Sequence, residues 1–332
     1  MNFPSTTSAN VPILLGSLTF MQETVSTKIY LYQRSHLHEH NNKAPSIDTS
    51  FESMPVRGNH LEKWRVLRTI GEGAQGRCKL VERKSDGELA VRKQVDWYTK
   101  INSSPLEAII LNDVLPPSRR VVKLITFWFT PSPRNDDYLI ELFEYCRGGD
   151  LEHAVTQYGR LSEDFIWHCF IQIAEALDVV HNAGSQLVVH RDVKPDNIFL
   201  EQKYRHAAPW PNLKLGDFGA ATLKPHTEAM LMRCWQGPEL PHHSTAGDIW
   251  GLGAIIHWMG HRRPPITPRP ARFSQKEWES QPAARRPTLL PKSYSLELND
   301  CMMECLRWDP RDRISSHELV KRLKRDRHGK RR

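Results

Sequence analysis

The sequence has few cysteines and no long apolar run. These two features argue against a disulfide-rich protein and against a membrane-spanning protein. Its 332 residues include six cysteines, which are scattered and form no C-x-x-C pair. This usage argues against a disulfide framework and favours a reduced intracellular compartment. No apolar run approaches the roughly 18 residues that a membrane span requires, so we expect no membrane partner. The N-terminus also lacks the positively charged start of a secretory signal.

Positive charge is concentrated at the C-terminal end. The formal net charge of the chain is +8, and the segment Lys321–Arg332 alone carries eight Lys/Arg and one Asp, a net +7. The body of the protein is therefore nearly neutral, and the basic character belongs to the tail. We expect such a run to bind a polyanion or an import receptor, and the alternative is a solvated charge run without a partner. The expected location of the protein is therefore the nucleus or the cytoplasm.

The order of patterns along the chain predicts an α+β protein with two lobes. Residues 1–60 are rich in Ser, Thr, Asn and His and show no period, which predicts disorder. Strand-like runs broken by glycines fill residues 61–145 and predict a small, β-rich N-terminal lobe. Helical patterns dominate residues 146–323, the larger C-terminal lobe, and include a long helix that starts after Ser162. Residues 324–332 are assigned to the basic tail, and the charged run Lys321–Arg332, which shows no apolar period, is not expected to join the core.

A glycine-rich segment, Ile70 to Cys78, is the first chemical signal. It follows a G-x-G-x-x-G pattern made by Gly71, Gly73 and Gly76. Glycines let backbone N–H groups approach phosphate oxygens closely. The same spacing occurs in dinucleotide-binding oxidoreductases and in turns with no ligand. In the oxidoreductases a helix follows the third glycine, whereas a strand-like run follows it in this sequence.

Two cations, Arg92 and Lys93, follow in the third strand-like run, and strand alternation distinguishes them. Lys93 shares its face with apolar residues, so we expect it to point into a cleft and Arg92 toward water. On the next helical pattern, Glu107 also lies on an apolar face. Because a buried carboxylate needs a cation, Lys93 and Glu107 are expected to pair. Taken alone, this pattern leaves an alternative in which Lys93 and Glu107 both lie on the surface and do not pair.

Two further motifs follow in order: His-Arg-Asp-Val-Lys-Pro-Asp-Asn at residues 190–197 and Asp-Phe-Gly at 217–219. With the glycine loop they resemble the signature set of the eukaryotic protein kinases. The resemblance covers roughly residues 61–323. The stretches LAVRKQVDW and FEYCRGGDL are most similar to NIMA-related and fungal kinase domains.

The resemblance implies a bilobal protein-kinase-like fold and a Ser/Thr kinase that uses ATP and Mg²⁺ on a protein substrate. It implies that Asp192 accepts the proton of the substrate hydroxyl and that Lys194 neutralises the transferred phosphoryl group. It implies Asn197 and Asp217 as metal ligands. The residues it implies for nucleotide binding are Ile70, Gly71, Gly73, Gly76, Cys78, Lys93, Glu107, Glu144 and Cys146, with Phe143 as gatekeeper.

The resemblance also implies structural pairs and exposes departures. Glu239 is expected to pair with Arg313. Asp248 is expected to support the motif at residues 190–197, which is called the catalytic loop below. Leu231-Met232 stands where Ser/Thr kinases usually have Gly-Thr, whose hydroxyl bridges the catalytic Asp and Lys. This substitution keeps open a second function, a kinase-fold scaffold with weak or no turnover. The activation segment is the stretch between Gly219 and Gly237. Its threonines, Thr222 and Thr227, are the hydroxyl side chains available for regulatory phosphorylation.

Overall fold

All residues that the computed structural model describes lie in the unit Pro55–Arg332. They are residues 63–73, 76–97, 106–130, 137–182, 184, 186–205, 207–224, 227–228, 234–239, 242–265 and 287–329. The segment 1–60, predicted to be disordered, and the Leu231-Met232 pair lie outside the described residues.

A five-stranded antiparallel sheet forms the N-terminal part of this unit, in the order β1-β2-β3-β5-β4. Its strands are β1 Trp64–Gly73, β2 Gly76–Arg83, β3 Leu89–Trp97, β4 Leu124–Thr130 and β5 Asp137–Glu144. Between β3 and β4 lies one short helical stretch, α1 Leu106–Ile109, which continues as a π-helical turn, Ile110–Val114. Glu107 in α1 and Ile110 in the turn are both buried.

Helices dominate the described residues after β5. They are α2 Leu151–Thr156, α3 Glu163–Asn182, α4 Thr245–His261, α5 Leu296–Cys305 and α6 Ser316–Gly329. Short strands between them are β6 Gly149–Asp150, β7 Ile198–Leu200, β8 Leu213–Leu215, β9 Thr227–Glu228 and β10 His242–His243. A five-stranded sheet followed by a mostly helical region confirms the expected α+β fold.

Helix α3 forms the centre of the helical region. Ser162 Oγ accepts a hydrogen bond from the Phe165 backbone N–H at 3.3 Å, which caps the first turn. Its apolar residues at helical spacing, among them Ile173 and Leu177, are at most 1% exposed. Each such side chain contributes roughly 1.5–3 kcal/mol through burial, so the core fixes the position of the loops that leave this region. Helix α4 is buried on most faces, as its apolar sequence predicts.

The described ranges contain no helix with the length and apolarity that crossing a lipid bilayer demands.

Helix α6 differs from the expected basic tail. It begins at Ser316 and ends at Gly329, so it crosses the expected boundary between residues 323 and 324. Leu323 is fully buried, and Lys324 Nζ lies 2.8 Å from Glu175 Oε1 of α3. The expectation that Lys321–Arg332 cannot join the core is therefore wrong for Leu323. Its leucines supply an apolar stripe that the surrounding charges conceal in the sequence.

The buried leucine of α6 gives a direct test of this packing. Leu323→Ala should lower the free energy of unfolding by about 2–5 kcal/mol, because it leaves a cavity in the core. Arg325→Ala is the matched control, since the Arg325 side chain is 73% exposed and should change stability by less than about 0.5 kcal/mol. Urea denaturation of both variants measures the difference. Equal stabilities would show that α6 does not contribute to the core.

Candidate functional site

One row of side chains runs across the N-terminal sheet and forms one wall of the candidate site. In the strand register, Gly71 pairs with Cys78, Cys78 with Lys93, and Lys93 with Glu141. Directly opposite residues of neighbouring strands point to the same face of a sheet. Lys93 and Glu141 therefore lie on the same face of β3 and β5, next to each other.

Lys93 joins three parts of the fold through its ammonium group. Its Nζ donates to Glu107 Oε2 of α1 at 2.7 Å and to Asp217 Oδ1 of the Asp-Phe-Gly motif at 3.0 Å. The other oxygen of Glu107 accepts a hydrogen bond from the Phe218 N–H at 3.0 Å. Burial favours neutral lysine, but the charges of Glu107 and Asp217 outweigh it and raise the pKa of Lys93. Lys93 is therefore a permanent cation.

Arg92 lies on the opposite face of β3 and takes no part in this cluster. It is half-buried rather than fully in water, and burial lowers its pKa. The choice of Lys93 over Arg92 from strand alternation agrees with these positions.

The glycine loop joins β1 to β2 above this row. Gly71 and Gly73 end β1, and Gly76 starts β2 with a φ of 119°. A side chain at Gly76 would collide with the backbone carbonyl of Gln94, so both conformation and space require glycine there. Ile70 precedes the loop and is 36% exposed. A strand, not a helix, follows the third glycine, which contradicts the dinucleotide-binding alternative.

A cluster of apolar side chains lies beside the segment that connects the sheet to the helical region. Phe143 and Cys146 form a buried cluster with Val122, against which Val91 and Phe199 pack. Burial, followed by the charge of Glu144, raises the pKa of the Cys146 thiol to about 12, so this cysteine is an apolar wall rather than a nucleophile.

Glu144 uses its side chain for structure. Its carboxylate accepts hydrogen bonds from Lys214 Nζ at 2.8 Å and from the Lys123 backbone N–H at 2.7 Å. These bonds leave the backbone of Glu144, rather than its side chain, to contact a ligand beside the apolar cluster.

The hairpin of β7 and β8 brings Asn197 and Asp217 together. Asn197 precedes β7, Asp217 follows β8, and the two strands are antiparallel. The Gly216 N–H donates to the Asn197 carbonyl at 2.9 Å and holds both ends in register. Burial alone would raise the pKa of Asp217, but the Lys93 charge and hydrogen bond reverse the effect and leave it lowered. At neutral pH, Asp217 is a carboxylate.

Asp192 and Lys194 form the centre of the loop before β7. Asp192 is 3% exposed, and its Oδ2 accepts hydrogen bonds from Lys194 Nζ at 2.8 Å and Asn197 Nδ2 at 3.1 Å. Asn197 Nδ2 also donates to the Asp192 carbonyl at 2.8 Å. These bonds use the amide nitrogen of Asn197, so its amide oxygen can serve as a ligand.

The donors at this end of the hairpin fit Mg²⁺. A carboxylate oxygen of Asp217 and the amide oxygen of Asn197 are hard ligands of the kind that magnesium prefers. Among the described residues there is no cluster of three or more His, Cys, Asp or Glu that could bind a metal ion. A site with few protein ligands suits a magnesium ion that phosphate oxygens also bind.

Asp248 fixes the backbone of the catalytic loop from the first turn of α4. It is fully buried, and its two oxygens accept hydrogen bonds from the His190 N–H at 2.7 Å and the Arg191 N–H at 2.8 Å. His181 and His243 donate to the same carboxylate at 3.0 and 3.2 Å. Burial opposes the charge of Asp248, but these two histidines lower its pKa strongly.

This support holds Arg191 in an uncommon backbone conformation. Its φ is 66°, in the left-handed region, and its Nε donates to the Ala220 carbonyl at 2.5 Å. Thr222, one of the two candidate phosphorylation sites, is buried, and its hydroxyl accepts a hydrogen bond from the Lys224 N–H at 3.2 Å. The side chain of Thr227 is outside the described part of the chain.

The expected pair of Glu239 with Arg313 is present. The two terminal nitrogens of Arg313, Nη1 and Nη2, each lie 2.6 Å from one oxygen of Glu239, and the Arg313 side chain is fully buried. This two-point pair ties the end of the activation segment to the turn before α6.

Sequence reasoning missed two residues of this region. Glu141 is fully buried in the row beside Lys93, and its only signal is one acidic residue within the apolar run Leu-Ile-Glu-Leu-Phe. His243 was missed although Asp248 follows it by only five residues, because His243 lies before α4, where helical spacing does not apply. A side chain at Gly247 would meet the His243 ring at 2.8 Å, so the glycine makes room for the histidine.

Comparison with known proteins gives a consistent result. The family model described as "Protein kinase domain" matches residues 64–323. "Serine/threonine-protein kinase Nek2" of Mus musculus is 30% identical over 285 residues, which cover 80% of this chain and 60% of the relative. "G2-specific protein kinase nimA" of Emericella nidulans is 28% identical over 304 residues, 80% of this chain and 42% of the relative.

The human protein named "Serine/threonine-protein kinase Nek2" is also 30% identical, over 281 residues and 60% of its length. The chain thus spans about 60% of the mouse and human relatives. The softer resemblance to NIMA-related and fungal kinases is confirmed by these names.

The buried Glu141 predicts a stability that falls as pH rises. Burial, together with the Glu107 charge, raises the pKa of Glu141 from 4.5 to about 8. Below pH 4.5 the group is protonated in both folded and unfolded protein; above it, only the unfolded chain releases the proton until the pH reaches about 8. Relative to Glu141→Met, the wild-type protein should therefore lose at least about 1 kcal/mol of unfolding free energy between pH 5 and 8.

Denaturant unfolding of both proteins across this pH range checks the expectation. The difference between them cancels the titration of groups that they share. A difference that is constant with pH would show that Glu141 does not titrate within this interval.

Proposed function

Since this chain belongs to the protein kinase family, we propose that it transfers the γ-phosphate of ATP to serine or threonine hydroxyls of protein substrates. The observation that carries the proposal is the Lys93 ammonium within hydrogen-bond distance of both Glu107 and Asp217. This geometry joins the glycine-loop sheet to the Asp-Phe-Gly segment, and phosphoryl transfer needs both in register.

The nucleotide is held from three sides. The backbone of Gly71, Gly73 and Gly76 covers the phosphates, because no Cβ obstructs the approach of N–H groups. Lys93 supplies a fixed positive charge to the α- and β-phosphates, and Glu107 holds it in place. The adenine base would lie beside the apolar cluster of Phe143 and Cys146, with Ile70 and Cys78 contributed by the strands of the glycine loop, and backbone groups of Glu144 and Cys146 would bind its edge.

Asn197 and Asp217 would hold Mg²⁺ through an amide oxygen and a carboxylate oxygen. When bound, this ion supplies positive charge that offsets the negative charge of the β- and γ-phosphates. The lowered pKa of Asp217 keeps its carboxylate ionised for that role.

The transfer step uses Asp192 and Lys194. The substrate hydroxyl oxygen forms a bond to the γ-phosphorus while the bond from that phosphorus to the β,γ-bridging oxygen breaks, and ADP leaves. Asp192 orients the hydroxyl and accepts its proton. Lys194, 2.8 Å from Asp192 Oδ2, lies where it can neutralise the transferred phosphoryl group.

A Ser/Thr protein substrate is supported by Lys194 in the catalytic loop and by the names of the relatives. The free cysteines and the absence of a spanning helix in the described ranges fit an intracellular enzyme. The alternative, a scaffold with weak or no turnover, was suggested by Leu231-Met232. Those two residues lie outside the described part of the chain, and the catalytic side chains favour turnover.

Asp192→Asn tests the catalytic role. It should lower kcat by about 10²-fold or more and leave Mg·ATP affinity nearly unchanged, because the group acts on the substrate hydroxyl and not on the nucleotide. Asp300→Asn, the same change at an exposed position of α5, is the control and should keep kcat. Radiolabelled phosphate transfer to a degenerate peptide library measures kcat. An Asp192 variant with full kcat but weaker nucleotide binding would contradict the assigned role.

Lys93→Met and Arg92→Met form a second, paired test. Lys93→Met should reduce phosphate transfer to background, because it removes the cation that fixes the phosphates and leaves Glu107 unpaired. Arg92→Met removes a neighbouring positive charge on the opposite face and should keep most of kcat/KM. Both variants are compared at equal folded fraction by circular dichroism. Loss of transfer in the Arg92 variant alone would refute the assignment.

A further inference from the structure

Glu141 is a buried carboxyl group that the proposed mechanism does not use. It lies in β5 with an exposed fraction of 0%, and within the described part of the chain neither of its oxygens has a hydrogen-bond partner. A buried ionised carboxylate without partners is strongly disfavoured. An acidic residue in this position therefore has a cost in stability, and its neighbours indicate what it does.

The side chains around Glu141 come from four elements. Its register partners are Lys93 on β3 and Phe127 on β4, and the aromatic partner carries no charge. The charged or titratable groups that interact with it electrostatically are Cys78 of β2, Lys93 of β3, Glu107 of α1 and Asp217 before Phe218. Glu141 thus faces one cation and two carboxylates.

The charges in this cluster do not balance. Lys93 is the single ammonium, and Glu107 and Asp217 already accept its hydrogen bonds at 2.7 and 3.0 Å. An ionised Glu141 adds a third negative charge next to the same cation. Directly opposite side chains on neighbouring strands are separated by roughly 5 Å between their Cβ atoms, so this charge acts on Lys93 at short range.

We propose that Glu141 is a positioning residue that competes with nucleotide phosphates for the Lys93 ammonium, so that the site binds Mg·ATP more weakly when Glu141 is ionised. The inference rests on the proposed function, since it assumes that Lys93 binds phosphates. Protonated Glu141 leaves Lys93 to its two hydrogen-bonded partners and the nucleotide. Ionised Glu141 attracts Lys93 and repels the phosphates.

The competition links nucleotide binding to a proton. A bound nucleotide adds negative charge near Glu141 and favours its protonated form, so binding takes up protons at a pH near the pKa of Glu141, about 8. By the same linkage, affinity falls as pH rises through that value. Burial raises the pKa of Cys78 above 9.0, so its thiol does not titrate substantially below pH 9.

Titration calorimetry of the full chain with Mg·ATP at pH 7, 8 and 9 tests the inference. At pH 8, two buffers of different ionisation enthalpy report the protons taken up on binding. The variants are Glu141→Gln, which keeps the shape, and Glu141→Met, which keeps the length and removes every polar atom. Glu88→Gln is the control, because it removes the same charge at a half-exposed side chain that pairs with Arg83 outside the cleft.

The wild-type protein and the Glu88 variant should bind Mg·ATP about fivefold more weakly at pH 9 than at pH 7 and take up protons at pH 8. Both Glu141 variants should show less than about a twofold change over that range and no excess proton uptake. If Glu141→Gln does not fold, because its amide is buried without partners, Glu141→Met decides the result.

Two results would overturn the inference. Equal pH profiles and equal proton uptake in the wild-type protein and the Glu141 variants would refute the competition alone and leave the kinase function intact. A wild-type protein that binds no Mg·ATP at any of the three pH values would refute the proposed function, and the inference with it.

Discussion

The ammonium of Lys93 is the interaction on which the site depends. It is buried, and it is satisfied by carboxylates from two different parts of the chain, Glu107 and Asp217. A buried charge without partners is costly, so the sheet, α1 and the Asp-Phe-Gly segment are stable together only when these groups meet. Glu107 extends the connection by accepting from the Phe218 N–H. The proposed nucleotide site therefore requires the correct relation of these three elements.

Asp248 has the equivalent role for the catalytic loop. Its carboxylate is fully buried and bonded to two backbone N–H groups and two histidines, which compensates for its desolvation. This arrangement holds Arg191, the residue before Asp192, at a φ of 66°. Strain in the loop is thus balanced by bonds from α4, a helix whose burial anchors it in the core.

The two carboxylates Glu107 and Glu141 differ in a way that geometry explains. Both are buried next to Lys93, yet Glu107 accepts from Lys93 and from a backbone N–H, whereas no hydrogen bond to Glu141 occurs among the described residues. The first is fully compensated and structural. Glu141 is not compensated, so its ionised form is unfavourable in the site. The proposed proton-linked nucleotide affinity follows from this property.

Much of the site could be predicted from local sequence. The order of the motifs, the strand alternation that selects Lys93 over Arg92, and the Ser162 cap of α3 all depend on neighbours along the chain. Residues 1–60, Leu231-Met232 and the side chain of Thr227 remain outside the described part, so those predictions stay predictions. Glu141 and the inward face of α6 could not be predicted, because each depends on partners that are distant in sequence. His243 was missed although Asp248 follows it by only five residues, because their contact depends on how the chain enters α4.

The sequence by itself determined which groups are available: glycines for the loop between β1 and β2, one lysine on the inner face of β3, and Asp192, Lys194, Asn197 and Asp217 at fixed spacing. The choice of the lysine follows from strand alternation, which is local, and the other four residues follow from motifs that resemble those of the protein kinases. Only the tertiary structure decided that Asp217 and Glu141 also lie beside Lys93 and that Leu323 joins the core. The physical reason is that burial and strand register are set by the packing of distant segments, and both the pKa of Glu141 and the position of α6 depend on that packing.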